Sequence, residues 1–511
     1  MRIERLGESA VILVGESLTE VLRWQESVVG SPLVVESLPC YVTLTLFLDL
    51  SRCRYEEAME VLLGEIAEDR EVSTVAGDTH VIPVCYEGEY APDLEELASH
   101  VGCSPEEVVA LHSGAEYVVA GLGFSPGFGF LQGLPEQLRC PRKARPRARV
   151  PKGALGIAND QTGVYPSETS GGWNLIGRTP LALVNYSEVS PSRFAVGDRV
   201  RFQPISCDEY AQYDAACGME VERPDDVCVE VVGAGMLATI QDLGRTEYRS
   251  QGLPHGGAMD PRIVKQMNRF LGNASDAPVI EFCQIGPQLR FAEETRVMVG
   301  GNCLPSIDGL TRSSYSILTV RAGEVLDCGR LMRGTWGYVA VVGGFLVEKK
   351  YGSASTHPHL ALGGLRGTVL QAGDRIPYEP DRRLSEGIGI PYAERVVMPR
   401  TAIQVMPGPQ WDWFSSAERE RFLSSAYQVS MVSNRVGYRL AGPVIEKPDR
   451  ELISEGACPG VIQITNEGQP IVLMRDSQLI GGYPKIACVT HNDLARLAQL
   501  RPGTWVRFAL T

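Results

Sequence analysis

Between Glu116 and Ser206 no helical period survives: short apolar runs alternate with glycine and proline turns, the pattern of a compact β-barrel or sandwich. The densest part, Gly121 to Pro180, sets Phe128, Phe130, Tyr165 and Trp173 among its turns (GLGFSPGFGFLQGLP, then QTGVYPSETSGGWNLIGRTP). Glycine permits backbone shapes closed to other residues and lets a ligand approach the main chain. The segment therefore has two readings, the rim of a pocket or a barrel with tight corners.

At 511 residues the chain is too long for a single core. Ahead of the turn-rich segment, Ala10 to Val14 and Tyr41 to Leu48 read as extended. Ser17 to Val29 and Tyr55 to Glu68 carry apolar residues three and four apart, as amphipathic helices do. These make a small α+β domain over residues 1–79. A strand at His80–Tyr86 follows, then a helix between Pro92 and Gly102 and another opened by the capping box Ser104-Pro105-Glu106-Glu107.

Residues 207–226 are acidic and lack a strong period, and read as a linker. From Val227 the chain is again rich in strands and glycine, with helices expected over Asp260 to Leu271, stopped by Gly272, and over Ser416 to Ala426. Asp260, just before Pro261, reads as a helix N-cap. A divergent repeat links the two halves. GFGFLQGLP, VPKGALGIAND, GGWNLIGRTPLALV and VGDRVRFQP recur in order as VGYRLAGP, SEGACPGVIQI, GGYPKIACVT and PGTWVRFAL. The predicted domains are thus 1–79, a β domain at 80–206, the linker 207–226, and two more β domains at 227–395 and 396–511.

A net charge of −14 disfavours a nucleic-acid partner. No run of about 18 apolar residues marks a membrane span, and the start of the chain does not read as a secretory leader. The thirteen cysteines are scattered, with no CxxC pair and no Cys/His quartet, which points to reduced core thiols in a cytoplasmic protein without a metal site.

Against that acidic background, seven of the fourteen residues from Arg139 to Lys152 are basic. Arg145, Arg147 and Arg149 alternate, so on a regular strand they share a face that can grip carboxylate or phosphate oxygens. Lys152 ends the basic run as a further anion-binding candidate, and Gln161 and Trp173, on later turns, are expected to close over the same face. The alternative is a strand whose charges are neutralised by nearby acids. The second half has three glycine-flanked polar clusters that read as one cleft. Asp242 and Arg245 form the first, a turn salt bridge being the structural alternative. Asn434, Arg435 and Arg439 form the second, and Asp476 with Tyr483 and Lys485 of GGYPK the third. His357 and His359 stand two apart, more often plain core or surface residues than metal ligands. No phosphate-binding GxxxxGK[ST] loop, biotin-attachment lysine, HExxH or GxSxG elbow occurs.

HVIPVCYEGEYAPDLEELASHVGCSPEEVVALHS, GFSPGFGFLQGLP, PRKARPRARVP, QTGVYP and GGWNLIGRTPL resemble the B component of 5-oxoprolinase, the KipI or allophanate hydrolase subunit 1 family. GMLATIQDLGR, GLPHGGAMDP, YGSAST, SNRVGYRLAGP, IQITNEGQPIVLMRDSQLIGGYPKIA and AQLRPG resemble the C component of 5-oxoprolinase, the KipA family. The resemblance implies an α+β, mostly β chain with cyclophilin-like β-barrel domains in both halves. It also implies a complex with a separate protein, the A component of 5-oxoprolinase, that opens 5-oxoproline to glutamate with ATP and magnesium. The same scaffold serves as the biotin-dependent carboxyltransferase region of urea carboxylase and as a regulator of a histidine kinase.

A lactam is resonance-stabilised, so ATP would phosphorylate its oxygen before water attacks. Such a site needs cations and donors aimed at the developing oxyanion. On that basis Asp242, Arg245 and Asp476 are the expected catalytic residues. Arg145, Arg147, Arg149, Lys152, Gln161, Trp173, Arg435, Arg439, Tyr483 and Lys485 are the expected binding residues. The sequence departs from the family pattern at Asn434 and Val436, where the family carries an acid and a methionine, and at Ser477, Leu479 and Ile480, where it carries an arginine and two threonines.

Overall fold

The computed structural model describes residues 1–67, 77–213, 227–380 and 402–511. Most local signals fold as read. The first helix is Leu18–Ser27, with the Ser17 side chain accepting from the Glu20 amide. Leu94–Val101 stops at Gly102, whose φ of 74° is the left-handed turn glycine favours. Pro105–Ser113 is held by the Ser104–Glu107 capping box. Further helices run over Tyr55–Ala67, Pro261–Leu271 and Ser416–Ser424.

Two readings need correction. Asp260 occupies the N-cap position, but its carboxylate grips the Arg262 guanidinium at 2.9 Å instead of capping. The region read as a linker opens with a helix, Cys207–Gln212, capped by Ser206 and Glu209. Its remainder from residue 214, like the boundary at 395, lies outside the described residues.

The turn-rich segment closes as a barrel of β1 (Thr79–Cys85), β2 (Tyr117–Leu122), β3 (Gly129–Gln132), β4 (Ala154–Ala158), β5 (Gln161–Val164), β6 (Asn174–Arg178) and β7 (Arg199–Ile205). Around the ring the order is β2-β7-β1-β6-β4-β5-β3, and β3 pairs back to β2. Only the β1–β7 pairing is parallel. The second barrel comprises β8 (Ile403–Pro407), β9 (Tyr427–Val429), β10 (Gly437–Ala441), β11 (Val461–Ile464), β12 (Pro470–Leu473), β13 (Lys485–Val489) and β14 (Phe508–Leu510).

Its order, β9-β10-β12-β11-β13-β8-β14, matches the first strand for strand, again with one parallel pair, β8–β14. Trp505–Val506, just ahead of β14, pairs with β9 and completes the ring. A small ribbon recurs at the same place in each: Arg147–Val150 with Thr169–Gly171, and Glu455–Gly456 with Ile480–Gly481. The faint sequence repeat is a repeat of fold.

Upstream, four strands over Arg2–Cys40 and Thr43–Leu48 join the first barrel where Cys40 pairs with Gly121, giving one eleven-stranded sheet. Between the barrels, Cys228–Pro377 forms a six-stranded and a five-stranded sheet around an apolar core of Val229, Phe282, Phe291 and their neighbours.

The two halves share a core. Phe128 and Trp173 of the first pack in one cluster with Leu479 and Ile480 of the second. Full burial of Ile480 contributes roughly 1.5–3 kcal/mol. Glycine makes the approach possible, since a Cβ on Gly123 would lie 2.7 Å from the Ile480 side chain. The apolar pair at 479–480, where the family pattern carries hydroxyls, is thus used at the seam. Arg249 also crosses it, forming a buried ion pair with Glu36, and Tyr351 donates to the Glu188 carbonyl at 2.8 Å.

Candidate functional site

A cleft of about 630 Å³ opens along this seam. The first half supplies Phe124 to Pro126 from a turn and Ser167 to Ser170 from a turn and the ribbon strand it leads into. The second supplies His357, Asn434, Arg439, Gln463, Asp476 and Tyr483. The turns therefore rim the cleft, whereas the aromatic side chains between them do not. Phe128, Phe130, Tyr165 and Trp173 stack edge to face behind it, with Trp173 5.5 Å from Phe128 and 6 % exposed. Only Phe124, held at φ 62°, reaches the opening.

Beneath the cleft lies a buried ionic layer. Arg435 grips Asp476 through Nε and Nη2 at 2.8 Å each, donates to the Gly257 carbonyl at 2.8 Å and pairs with Glu281. Burial disfavours the cation, but Asp476 and Glu281 outweigh it and hold Arg435 protonated. Burial would likewise raise the Asp476 carboxyl, yet Arg435 beside it keeps that carboxyl below the usual range. Asp476 is a fixed anion in the cleft wall.

His357 stands over this layer, 4 % exposed, with neither ring nitrogen hydrogen-bonded. Burial lowers its pKa, so the imidazole is neutral at pH 7 and offers one donor and one acceptor. Gln463, 2 % exposed on β11, leaves its amide Nε2 unpartnered in the same cleft. A Cβ on Gly481 of the GGYPK motif would come within 2.5 Å of that nitrogen, so glycine there keeps room for it. With Ser125 Oγ, four buried polar atoms of cleft-lining residues lack a protein partner, an arrangement that suits a polar ligand or water.

The candidates from sequence divide sharply. Arg439, Asp476 and Tyr483 line the cleft, and Arg435 anchors it from below. Asp242 does not form a turn salt bridge with Arg245. Its carboxylate accepts from Ser353 at 2.7 Å, Ser355 at 2.5 Å, the Ala354 amide at 2.7 Å and the Gly244 amide at 2.8 Å. It therefore pins the YGSAST loop that leads to His357. Arg245, 1 % exposed, donates to the Ser355 carbonyl at 2.7 Å. Lys485 is fully buried away from the cleft, its Nζ 2.6 Å from Glu455.

The arginine strand does not present a shared face. Arg145 lies exposed ahead of the strand, which starts at Arg147, and the register with Thr169–Gly171 shifts. Arg147 is drawn to the buried Asp93 at 2.5 Å, which also holds Lys143 and the Leu175 amide. Arg149 pairs with Glu168 at 2.6 Å on the cleft rim. Lys152 is exposed, and half-buried Gln161 opens β5 outside the cleft. Sequence reasoning passed over Gln463, Glu168 and Ser125. The signal for Gln463 was a lone polar residue inside the apolar strand VIQI.

Comparison with known proteins places the chain in a family. The model of the carboxyltransferase domain, subdomain C and D, matches residues 1–194, and that of subdomain A and B matches residues 251–510. The chain belongs to the carboxyltransferase-domain family. Its second half is 38% identical over 285 residues to the C component of 5-oxoprolinase from Escherichia coli, covering 90% of that protein and 55% of this one. A second match, 41% over 233 residues, is to the B component of 5-oxoprolinase from Bacillus subtilis, covering 96% of it and 42% of this chain.

Urea amidolyase of Saccharomyces cerevisiae is 30% identical over 308 residues, 56% of this chain but 17% of that protein. The crystal structure of TTHA0988 superposes over 98% of this chain and 99% of its own, with a TM-score of 0.86 at 31% identity. The carboxyltransferase-family chain is a fusion: one half is like the B component, the other like the C component, and the two share one cleft.

Proposed function

We propose that the protein supplies the B and C components of an ATP-dependent 5-oxoprolinase, which opens 5-oxoproline to L-glutamate with a separate protein like the A component. The observation that carries this reading is the seam cleft, formed by both halves, where neutral His357 and the Gln463 amide stand unpartnered beside Arg439. A small lactam acid offers what these groups seek. Its carboxylate suits the Arg439 guanidinium, its ring N–H an imidazole nitrogen, and its carbonyl oxygen the Gln463 amide. Donors on that oxygen favour the tetrahedral state reached when water attacks. The higher identity to 5-oxoprolinase components than to urea amidolyase supports the same choice.

ATP with magnesium fits the cleft poorly. The carboxylates that line it, Glu168 and Asp476, are engaged by Arg149 and Arg435, so neither is free to hold the magnesium ion. In this reading the nucleotide comes with the partner, and the purified chain alone is nearly inactive. The test measures 5-oxoproline-dependent ATP hydrolysis by the chain with and without an A-component protein. Turnover that needs both supports the reading, and robust turnover by the chain alone contradicts it. Urea-dependent decarboxylation of carboxybiotin, with no 5-oxoproline turnover, would instead favour a biotin-dependent carboxyltransferase.

A further inference from the structure

Where β1 ends in the first barrel, three side chains converge that do not form a local sequence motif. Cys85 ends β1 and is buried, and Cys207 opens the helix that follows β7. Their sulfurs lie 3.6 Å apart across a separation of 122 residues. Glu87 brings a carboxylate oxygen to 3.3 Å from the Cys207 sulfur. All three donor atoms fall within 4.8 Å of one another. The spacing explains why motif reading, which looks for cysteines close in sequence, expected no metal.

Two elements hold the ligands in place. The parallel β1–β7 ladder sets Cys85 opposite Ile205, and the Ser206–Glu209 capping box fixes the helix that starts at Cys207. Tyr210 of that helix stacks on Tyr90 at 4.3 Å between ring centroids, closing the second side.

We propose that Cys85, Cys207 and Glu87 form a binding site for a soft divalent cation such as zinc, clipping the helix that leaves the first barrel onto its β1 edge. The sulfur–sulfur distance and the Cys207–Glu87 distance are close to those of a tetrahedral centre. With metal–sulfur bonds of about 2.3 Å and metal–oxygen bonds of about 2.0 Å, two sulfurs stand about 3.8 Å apart and sulfur and oxygen about 3.5 Å. A disulfide would need the sulfurs at about 2.05 Å, so the pair as placed suits a bridging ion better than a bond. Two thiolates and one carboxylate favour zinc over magnesium or calcium, which prefer all-oxygen shells. Three protein ligands leave the fourth position to water. None of the three ligands lines the cleft, so occupancy acts on the first barrel and its closing helix.

The test titrates reduced, metal-free protein with cobalt(II) under anaerobic conditions. The expected result is uptake of a single equivalent, with thiolate-to-metal charge-transfer absorption and the intense visible bands of a tetrahedral ion. Zinc should displace the cobalt and raise the melting temperature with concentration. Cys85 is buried, so the decisive variants are Cys207→Ser and Glu87→Gln, checked for unchanged circular dichroism. Cys207→Ser should abolish the charge-transfer band, and Glu87→Gln should weaken binding by about tenfold or more. Wild-type protein that takes up no cobalt overturns the proposal. So does a folded Cys207→Ser variant that binds as well as wild type, or a Cys85–Cys207 disulfide in protein whose reduced form binds no cobalt.

Discussion

The two barrels have the same strand order, the same single parallel pairing and the same small ribbon, yet they place their charges differently. In the first, Trp173, in the bend between the ribbon and β6, joins an aromatic stack, and the basic strand is quenched by Asp93 and Glu168. In the second, Gln463 on β11, Asp476 after β12 and the Arg435 anchor ahead of β10 sit in or under the cleft wall, with His357 arriving from the sandwich beside it. The first barrel thus contributes turns with hydroxyls and the Arg149-paired Glu168, and the second the buried ionic layer and the Gln463 amide. A duplicated scaffold leaves its framework alone and lets a few positions facing the seam diverge.

The largest way to break this comparison is to remove the anchor. Arg435→Ala leaves Asp476 and Glu281 buried without their cation and should cost about 3–5 kcal/mol in chemical denaturation. A loss below about 1 kcal/mol would show that the second barrel's ionic layer is not what holds the cleft wall.

The matching change in the first barrel should be milder. Arg147→Ala leaves Asp93 with Lys143 and the Leu175 amide, so stability should fall by about 1 kcal/mol. Partner-dependent turnover should be normal. Lost turnover at an unchanged melting temperature would restore the arginine strand as an anion site.

The smallest effect sits where the N-terminal strand meets the second barrel. Burial first, then the nearby Glu455 charge, raise Glu4 from 4.5 to about 7, while Arg2 and Lys485 pull the other way. Between those values the folded protein holds a proton that the unfolded chain has lost, so this group's contribution to stability falls as pH rises through the window. Glu4→Gln should flatten that fall and add up to about 1 kcal/mol at pH 8, the group being partly solvated. A melting-temperature profile from pH 4 to 8 identical to wild type would remove Glu4 from the account.

Much of the fold was legible because its signals are local. Gly102 and Gly272 end helices through their own backbone, the Ser104–Glu107 box caps within four residues, and the repeat preserves strand order across both halves. The site was legible only in part, because a residue's role there depends on what folds against it. Arg147 and Asp476 look alike as charged residues between turns. Only the structure gives one a buried carboxylate as its main neighbour and the other a place in the cleft. Lys485 sits in a glycine-flanked motif that suggests a ligand, but Glu455, thirty residues earlier, claims it. Gln463 and His357 are defined by partners they lack, which no sequence pattern records.

The central claim is that chemistry lodges on the second-barrel side of a cleft built by both halves. It is tested most directly by 5-oxoproline-dependent ATP hydrolysis of His357→Gln and Arg147→Ala side by side with the same A-component partner. The account predicts that His357→Gln loses about 100-fold in turnover with little change in melting temperature, while Arg147→Ala turns over normally. Normal turnover by His357→Gln together with an inactive, fully folded Arg147→Ala would contradict it.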